Sequence, residues 1–222
     1  MDAPTLAAGM ALALKNAQRF ADDAILLYQA GRHSSALIFA TAALEEICRL
    51  DMLAEAFELV VKEKTVPDNH FASWLEHIDK IAGGQRFAPG PLGKTFEKLL
   101  DSADVKTSED VLRLIDSQDF SKRRALDAQD SRVRAQYLDW DEEATTWIDP
   151  TTTERHEVFG TLLETLRALA RVSILIGGNS TNRAILNDVA SFDWSIVDRY
   201  TPLIGKPAPI REAAYLRMMH GR

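Results

Sequence analysis

The N-terminal part of the chain carries apolar side chains at alternating spacings of three and four residues. They are Leu6, Met10, Ala13, Ala17, Phe20, Ala24 and Leu27. Because an α-helix turns once every 3.6 residues, this spacing places all of them on one helix face. Gly31 follows, and glycine is the usual residue just past a helix C-terminus. The pattern predicts an amphipathic helix that ends before Gly31.

A second helix is predicted from near Ser34 to about Val61. Its seam consists of Ala36, Phe39, Ala43, Glu46, Leu50, Leu53 and Phe57, and Ala40, Leu44 and Ile47 widen it. So broad an apolar face predicts packing against more than one neighbour. Since only a few residues around Gly31 join the two helices, we expect them to form an antiparallel hairpin.

The middle of the chain alternates between helical patterns and breaks. Predicted in order are a helix from Phe71 to Ile81 closed by Gly83–Gly84, a loop over 87–93, and shorter helices over 94–103 and 108–117. The stretch 121–136 is basic and has few apolar positions. It is compatible with either an exposed helix or a partly ordered segment.

The C-terminal half begins with two aromatic segments, 137–140 and 147–150, around an acidic turn, which predict extended chain or a small β-hairpin. Pro150 and the threonines after it then open a helix that ends at Gly177–Gly178. Its buried stripe is predicted to be Phe159, Leu162, Leu166, Leu169, Ser173 and Ile176. Short helical pieces follow, with a terminal helix over 210–219. We therefore expect an all-α helical bundle and a single domain over residues 1–222.

Composition limits the partners and the cellular location that can be expected for the protein. A formal net charge of −7 argues against wrapping duplex nucleic acid over the whole surface. The lone cysteine, Cys48, excludes an internal disulfide and favours a reducing cytoplasm. The start of the chain lacks the pattern of a secretory signal, and no apolar stretch approaches the ~20 residues that span a bilayer. We expect a cytoplasmic protein without a membrane partner.

Common catalytic motifs are missing. The sequence has no phosphate loop, no nucleotide-binding glycine fingerprint and no nucleophile elbow. His156–Glu157 lacks the second histidine that an HExxH zinc site requires. The sequence therefore gives no basis for a metal or an organic cofactor.

The pair Glu45–Glu46 is the most informative polar feature, because Glu46 falls inside the apolar seam of the second helix. A buried carboxylate needs a partner, since an unpaired buried charge costs several kcal/mol. One interpretation is an inward carboxylate that positions a basic residue or a substrate. The other is an ion pair that fixes helix packing, for which Arg49 is suitably spaced from either glutamate.

Further candidates are scattered along the chain. Arg32 lies at the hairpin turn, where it either caps a helix end in solvent or takes part in a site. His77 and Lys80 share a predicted helix face and would suit phosphate binding or acid–base chemistry, or else simply decorate the surface.

The segment from Arg132 to Asp139 combines two arginines, Arg132 and Arg134, with the aromatic ring of Tyr137 and the acid Asp139. Such a stretch can contact an RNA backbone and stack a base. The alternative is an exposed helix whose Tyr137 inserts into the core.

Several segments, in the same order as in the family, resemble the AbiV family of abortive-infection proteins. They are Asn16–Ala17, the turn Gly31–Arg32–His33, the helix Ala43-Leu-Glu-Glu-Ile-Cys-Arg49, and two later matches, Phe71…His77…Lys80 and Arg134…Tyr137-Leu-Asp139…Trp147…Pro150. The likeness covers roughly residues 10–175, while 179–222 form a C-terminal helical extension. Cys48–Arg49 stands where the family has Gly-Lys, and His33 where it has tyrosine.

The resemblance implies a HEPN-like helical domain, a homodimer and a role in phage defence. It also implies that the polar residues that match the family form one candidate polar centre. These residues are Arg32, Glu45, Glu46, Arg49, His77, Lys80, Arg134, Tyr137 and Asp139. Many HEPN domains are ribonucleases with a histidine four to six residues after an arginine. That motif is absent, since Arg32 and Arg155 each directly precede a histidine.

Three functions are compatible with these observations. The first is a toxin-like interaction protein that binds a phage protein or a host translation or RNA component. The second is a metal-independent ribonuclease, in which an arginine or lysine stabilises the phosphorane and His77 moves protons. The third is a helical adaptor unrelated to phage.

Overall fold

A computed structural model describes residues 1–71, 80–82, 84, 118–137, 139–141 and 145–177, with single positions at 183, 184, 187, 195, 213, 217 and 220. Its elements are helix α1 (Ala3–Gln29), helix α2 (His33–Val61), helix α3 (Gln118–Gln136), strands β1 (Asp139–Asp141) and β2 (Thr146–Ile148), and helix α4 (Arg155–Gly177). The predicted loop 87–93, the predicted helices 94–103 and 108–117, and His77 lie outside the described residues.

Helix α1 has clear signals at both ends. The Asp2 carboxylate accepts a hydrogen bond of 2.9 Å from the Thr5 backbone N–H, which caps the first turn. At the other end Gly31 adopts a φ of +73°, a left-handed conformation that glycine takes without steric cost. This turn reverses the chain and lets α2 begin at His33, one residue before the predicted start. The predicted hairpin is thereby confirmed.

Alanines make the contact between α1 and α2 close. Ala17, Ala21 and Ala24 of α1, and Ala36, Ala40 and Ala43 of α2, are fully buried. Small side chains let two helix backbones approach, so that the leucines beside them fill the remaining volume. Helix α2 also packs against α3 and α4, as its broad apolar face predicted.

The short segment around residues 80–84 packs tightly on α2. Lys80 and Ile81 are buried, and a Cβ atom built on Gly84 would collide with the backbone carbonyl of Leu44. Glycine at position 84 therefore permits the close approach that brings Lys80 to α2. The sequence placed a helix end at Gly83–Gly84, but Gly84 is itself helical, so its role is close packing rather than termination.

The basic stretch is an ordered helix, α3, which packs on α2 through buried Ala125 and Ala135. The small hairpin follows, with β1 and β2 antiparallel and Trp140 opposite Trp147. This pair of three-residue strands is a minor feature of an all-α, HEPN-like fold.

Helix α4 starts later than predicted. Residues Pro150–Thr152 form a 3-10 turn, in which the Asp149 carboxylate accepts a 2.8 Å hydrogen bond from the Thr151 backbone N–H. Thr153 is then extended, so the α-helix begins only at Arg155. The predicted stripe is otherwise confirmed: Leu162, Leu166, Leu169, Ser173 and Ile176 are buried, and Phe159 is half-buried.

Helix α4 is fixed to α2 by polar as well as apolar contacts. The buried Thr165 hydroxyl lies 3.0 Å from the Ala40 carbonyl oxygen of α2 and 2.8 Å from that of Thr161. At the end of α2 near the turn, the Ser34 hydroxyl lies 2.9 Å from that of Thr153. Within the described ranges, no helix is both long enough and apolar enough to cross a bilayer.

Candidate functional site

One buried carboxylate joins three parts of the chain. Glu45, on α2, lies with one carboxylate oxygen 3.0 Å from Lys80 Nζ and the other 2.8 Å from Arg132 Nη1 of α3. The side chain of Lys80 is 2% exposed and that of Glu45 6%. We call Glu45, Lys80 and Arg132 the buried triad. Its members are far apart in sequence and meet only because α2 is the helix on which the other two segments pack.

The charges of the triad do not cancel, since one carboxylate faces two cations. Both oxygens of Glu45 are engaged, and a buried ion pair with good geometry offsets the large cost of removing its charges from water. Arg132 also has a buried Nε atom without a hydrogen-bond partner in the described structure. A carboxylate held on both sides by cations is suited to positioning helices, and poorly suited to removing a proton from a substrate.

Glu46 is buried in α2, as its place in the apolar seam predicted, and its described ion pair is with Arg49 of the same helix. The described cations from distant segments contact Glu45 instead. An ion pair that fixes helix packing, one of the two interpretations of this glutamate pair, is thus the arrangement seen for both residues.

Glu46 and Arg49 instead line a groove of about 880 Å³ between α1 and α2. We call this the hairpin groove. Its walls are mostly apolar and come from residues that include Met1, Gly9, Leu12, Ala13 and Leu53, with Lys15 and Arg19 at its polar edge. Leu12 is 68% exposed and adds an apolar side chain to the open side of the groove.

The remaining predicted site residues do not join the triad. Arg32 is exposed at the start of α2 and makes no side-chain cap. Arg134 is exposed and pairs with Asp130 at 3.1 Å, and Tyr137 is 56% exposed rather than inserted in the core. Asp139 lies in β1, opposite Ile148. The proposed nine-residue centre is therefore divided, and its described members form two separate ion pairs, Glu45–Lys80 and Glu46–Arg49.

Arg132 is a site residue that the predicted polar centre lacks. It belongs to the segment 132–139 that could contact RNA, but the polar centre contains Arg134 instead, because Arg134 matches the family segment. On a helix these residues lie about 200° apart, so only one of them can face α2. The buried Ala125 and Ala135 mark the inward face of α3, and a helical projection of them would have favoured Arg132, seven residues after Ala125.

The family model of HEPN_AbiV, described as AbiV, matches residues 5–171. The chain belongs to the AbiV family of HEPN-like proteins. The match covers most of the chain and includes all three residues of the buried triad, most of the hairpin groove and most of α4. Neither a curated protein nor a solved structure matches the chain.

For an AbiV-family protein, the described residues offer little conventional catalytic apparatus. They contain no group of three or more histidine, cysteine, aspartate or glutamate side chains placed to hold a metal ion. Cys48 is buried beside the core, consistent with a packing role. Abortive infection, the defence with which the AbiV family is associated, is the function that the match indicates.

A second polar cluster surrounds Tyr28, close to the hairpin turn, and was not predicted from the sequence. Arg155, the first residue of α4, donates a hydrogen bond of 3.1 Å from Nε to the Tyr28 hydroxyl of α1. His33 and His220 each place their rings about 6 Å from that of Tyr28. These residues come from four separate parts of the chain, and no local spacing connects them.

Proposed function

We propose that this AbiV-family protein defends the cell against phage by binding, and thereby blocking, a phage protein or a host translation or RNA component. Membership of the family over residues 5–171 carries the proposal. The structure adds support for binding rather than chemistry, because the buried triad is saturated by its own ion pairs. Arg134 and Tyr137 belong to the predicted polar centre, but both are exposed, and neither is among the described residues that line the hairpin groove.

The proposal includes a homodimer that forms through the hairpin groove. Leu12 projects at the rim of a largely apolar groove, and a second copy would bring the same groove and the same leucine to face it. Lys15 and Arg19 also line the groove, so in such a dimer they would lie close to the interface. A cytoplasmic location is part of the same proposal.

The decisive experiment compares phage infection of cells with and without the gene. Abortive infection predicts fewer plaques and a smaller burst, while infected cells stop growing even when every cell receives phage. Unchanged plaque number and burst size across phages of several types would overturn the defence role. Survival and regrowth of the infected cells would overturn arrest of the cell as its mechanism.

Binding and ribonuclease activity are separated by a second measurement. Total tRNA and rRNA are incubated with purified protein and with a His77→Ala variant, and cleavage is followed on a gel. We expect intact RNA at high protein concentration. Cleavage by the wild type that is lost in the variant would replace the binding proposal with an enzymatic one.

A further inference from the structure

The buried triad carries an excess of positive charge. Glu45 places one carboxylate oxygen 3.0 Å from Lys80 Nζ and the other 2.8 Å from Arg132 Nη1, so one negative charge faces two positive ones. Within the described residues, neither cation has a second ion pair. A buried charge without a counter-charge is strongly unfavourable. The triad is therefore arranged to accept one further negative charge.

The two cations of the triad also retain hydrogen-bond donors. Both oxygens of Glu45 are engaged, but each cation contacts them through a single nitrogen. The Arg132 Nε atom is buried and has no hydrogen-bond partner among the described residues. A guanidinium has five N–H donors in a fixed plane, and an ammonium group has three. The carboxylate of the triad is thus fully used, whereas its cations can still donate to an anion.

Helix α3 carries a second unpartnered polar atom close to Arg132 in sequence. Gln129 lies three residues before Arg132, so the two side chains are neighbours on the helix surface. Its buried Oε1 atom has no hydrogen-bond partner in the part of the chain that the structure describes. A half-turn of the amide exchanges its oxygen and nitrogen, which turns this buried acceptor into a donor. An anion beside Arg132 would supply the acceptor that such a donor requires.

We propose that the buried triad binds one small monovalent inorganic anion, chloride, between Arg132 and Lys80. The anion would accept hydrogen bonds from Arg132 Nε and Lys80 Nζ on the side away from Glu45. Two positive and two negative charges would then alternate around the cluster, and its net charge would be zero. This inference does not depend on the proposed role in phage defence.

Access and charge favour a monatomic anion over a larger one. Lys80 is 2% exposed, and Arg132, at 16%, is the member of the triad that reaches the surface. A phosphate dianion would bring two negative charges to a cluster that lacks one. The chain has a net charge of −7, so its surface as a whole repels chloride, and any chloride that binds must be held by a local site.

Replacement of gluconate by chloride tests this inference on the full chain. A constant ionic strength of about 0.15 M keeps general screening unchanged. Thermal unfolding followed by circular dichroism measures stability, and the linewidth of the chloride NMR signal reports binding to the folded protein directly. The variants are Lys80→Met and Arg132→Met, each of which leaves a balanced pair with Glu45. Arg134→Gln is the matched control, because it removes an exposed arginine of the same helix.

We expect chloride to raise the melting temperature of the wild type by about 3 °C, with the rise levelling off as the site fills. The wild type should also broaden the chloride signal, and an excess of bromide should reverse the broadening. Lys80→Met and Arg132→Met should lose most of both effects, whereas Arg134→Gln should keep them. Glu45→Gln, which leaves two unbalanced cations, should respond to chloride more strongly than the wild type.

Equal melting temperatures in chloride and gluconate, without broadening of the chloride signal, would overturn the inference. A rise that does not level off would overturn it as well, because a general salt effect has no saturation point. The same conclusion would follow if Arg134→Gln reduced the response as much as Lys80→Met does. If Glu45→Gln or Arg132→Met fails to fold, Lys80→Met against Arg134→Gln still decides, since the NMR measurement is made on folded protein.

Discussion

Lys80 Nζ lies 3.0 Å from a carboxylate oxygen of Glu45, and both side chains are almost completely removed from solvent. The two residues come from different helical segments, and Arg132 approaches the opposite oxygen from a third. A carboxylate shared in this way makes the position of each segment depend on the other two. Removal of the buried triad should therefore lower the stability of the whole helical bundle.

The triad predicts an order of stabilities. Glu45→Gln leaves two buried cations without a counter-charge and should lower the free energy of unfolding by about 3 kcal/mol. Lys80→Met should cost less, because it leaves Glu45 and Arg132 as a balanced pair. Urea unfolding followed by circular dichroism measures both variants.

The matched control for that series is Glu46→Gln, an identical change at the adjacent position. Its partner Arg49 has a quarter of its side chain exposed and can turn to water, so we expect a loss of only about 1 kcal/mol. A larger loss for Glu46→Gln than for Glu45→Gln would contradict the assignment of Glu45 as the central carboxylate.

The sequence could predict that α2 buries Glu46, but not that cations from distant segments would contact Glu45. Helical spacing placed Glu46 in the seam with Ala43 and Leu50, and that inference concerned α2 alone. Whether a distant lysine reaches position 45 or 46 depends on how the segment of Lys80 crosses α2, which is set by non-local packing. The hairpin itself was predictable because its signals, a 3.6-residue period and Gly31, are local.

The polar cluster around Tyr28 shows the same limit more strongly. Tyr28, Arg155 and His220 are separated by most of the chain, and each is unremarkable in its own sequence context. Only the packing of α4 against α1 brings Arg155 to Tyr28. Family likeness did not help either, since His220 lies outside the matched residues.

Gly84 should not tolerate a side chain. In Gly84→Ala the new Cβ would meet the Leu44 carbonyl group, with the carbonyl carbon 2.8 Å away, so backbone must move. Because the same segment carries Lys80, we expect a loss of about 2 kcal/mol or more in the free energy of unfolding.

Gly160 is the natural comparison, because it lies within α4 and a Cβ there meets no atom within 4 Å. Gly160→Ala should stabilise the protein by about 0.5–1 kcal/mol through helix propensity. Chemical denaturation of both alanine variants should therefore give changes of opposite sign. Equal effects would show that segment 80–84 does not pack on α2 as described.

The hairpin groove predicts how oligomeric state responds to charge. If two copies meet there, Leu12→Glu buries a carboxylate in an apolar contact and should shift the dimer to monomer. Leu26→Glu introduces the same charge on α1 at a residue 63% exposed that does not line the groove, and should leave the dimer intact. Light scattering over a range of concentrations distinguishes them, and a monomeric wild type would refute the dimer.

Lowering the pH should weaken the cap that the Asp149 carboxylate provides to the turn before α4. Hydrogen bonds from the Thr151 backbone and hydroxyl lower the pKa of the Asp149 carboxyl below its ordinary value. Because the folded-state pKa is depressed, the stabilisation is complete above the unfolded-state pKa of about 4 and is lost as the pH falls through the folded-state value.

Asp149→Ala should consequently be less stable than the wild type at neutral pH, with the difference shrinking as the pH falls below about 4. Unfolding curves recorded at several pH values from neutral to acid provide the test. A difference that stayed constant across that range would mean that the Asp149 carboxylate does not act as a charged cap.

The alanines between α1 and α2 reverse the usual relation between residue size and tolerance to mutation. A buried leucine can often be exchanged for isoleucine or methionine, since neighbouring side chains rearrange around a similar volume. Buried alanines such as Ala17, Ala40 and Ala43 have less freedom, because an added methyl group has no empty space to enter and presses on a neighbouring element. Among related sequences of this hairpin, the smallest core residues should therefore be substituted least often and the largest most often.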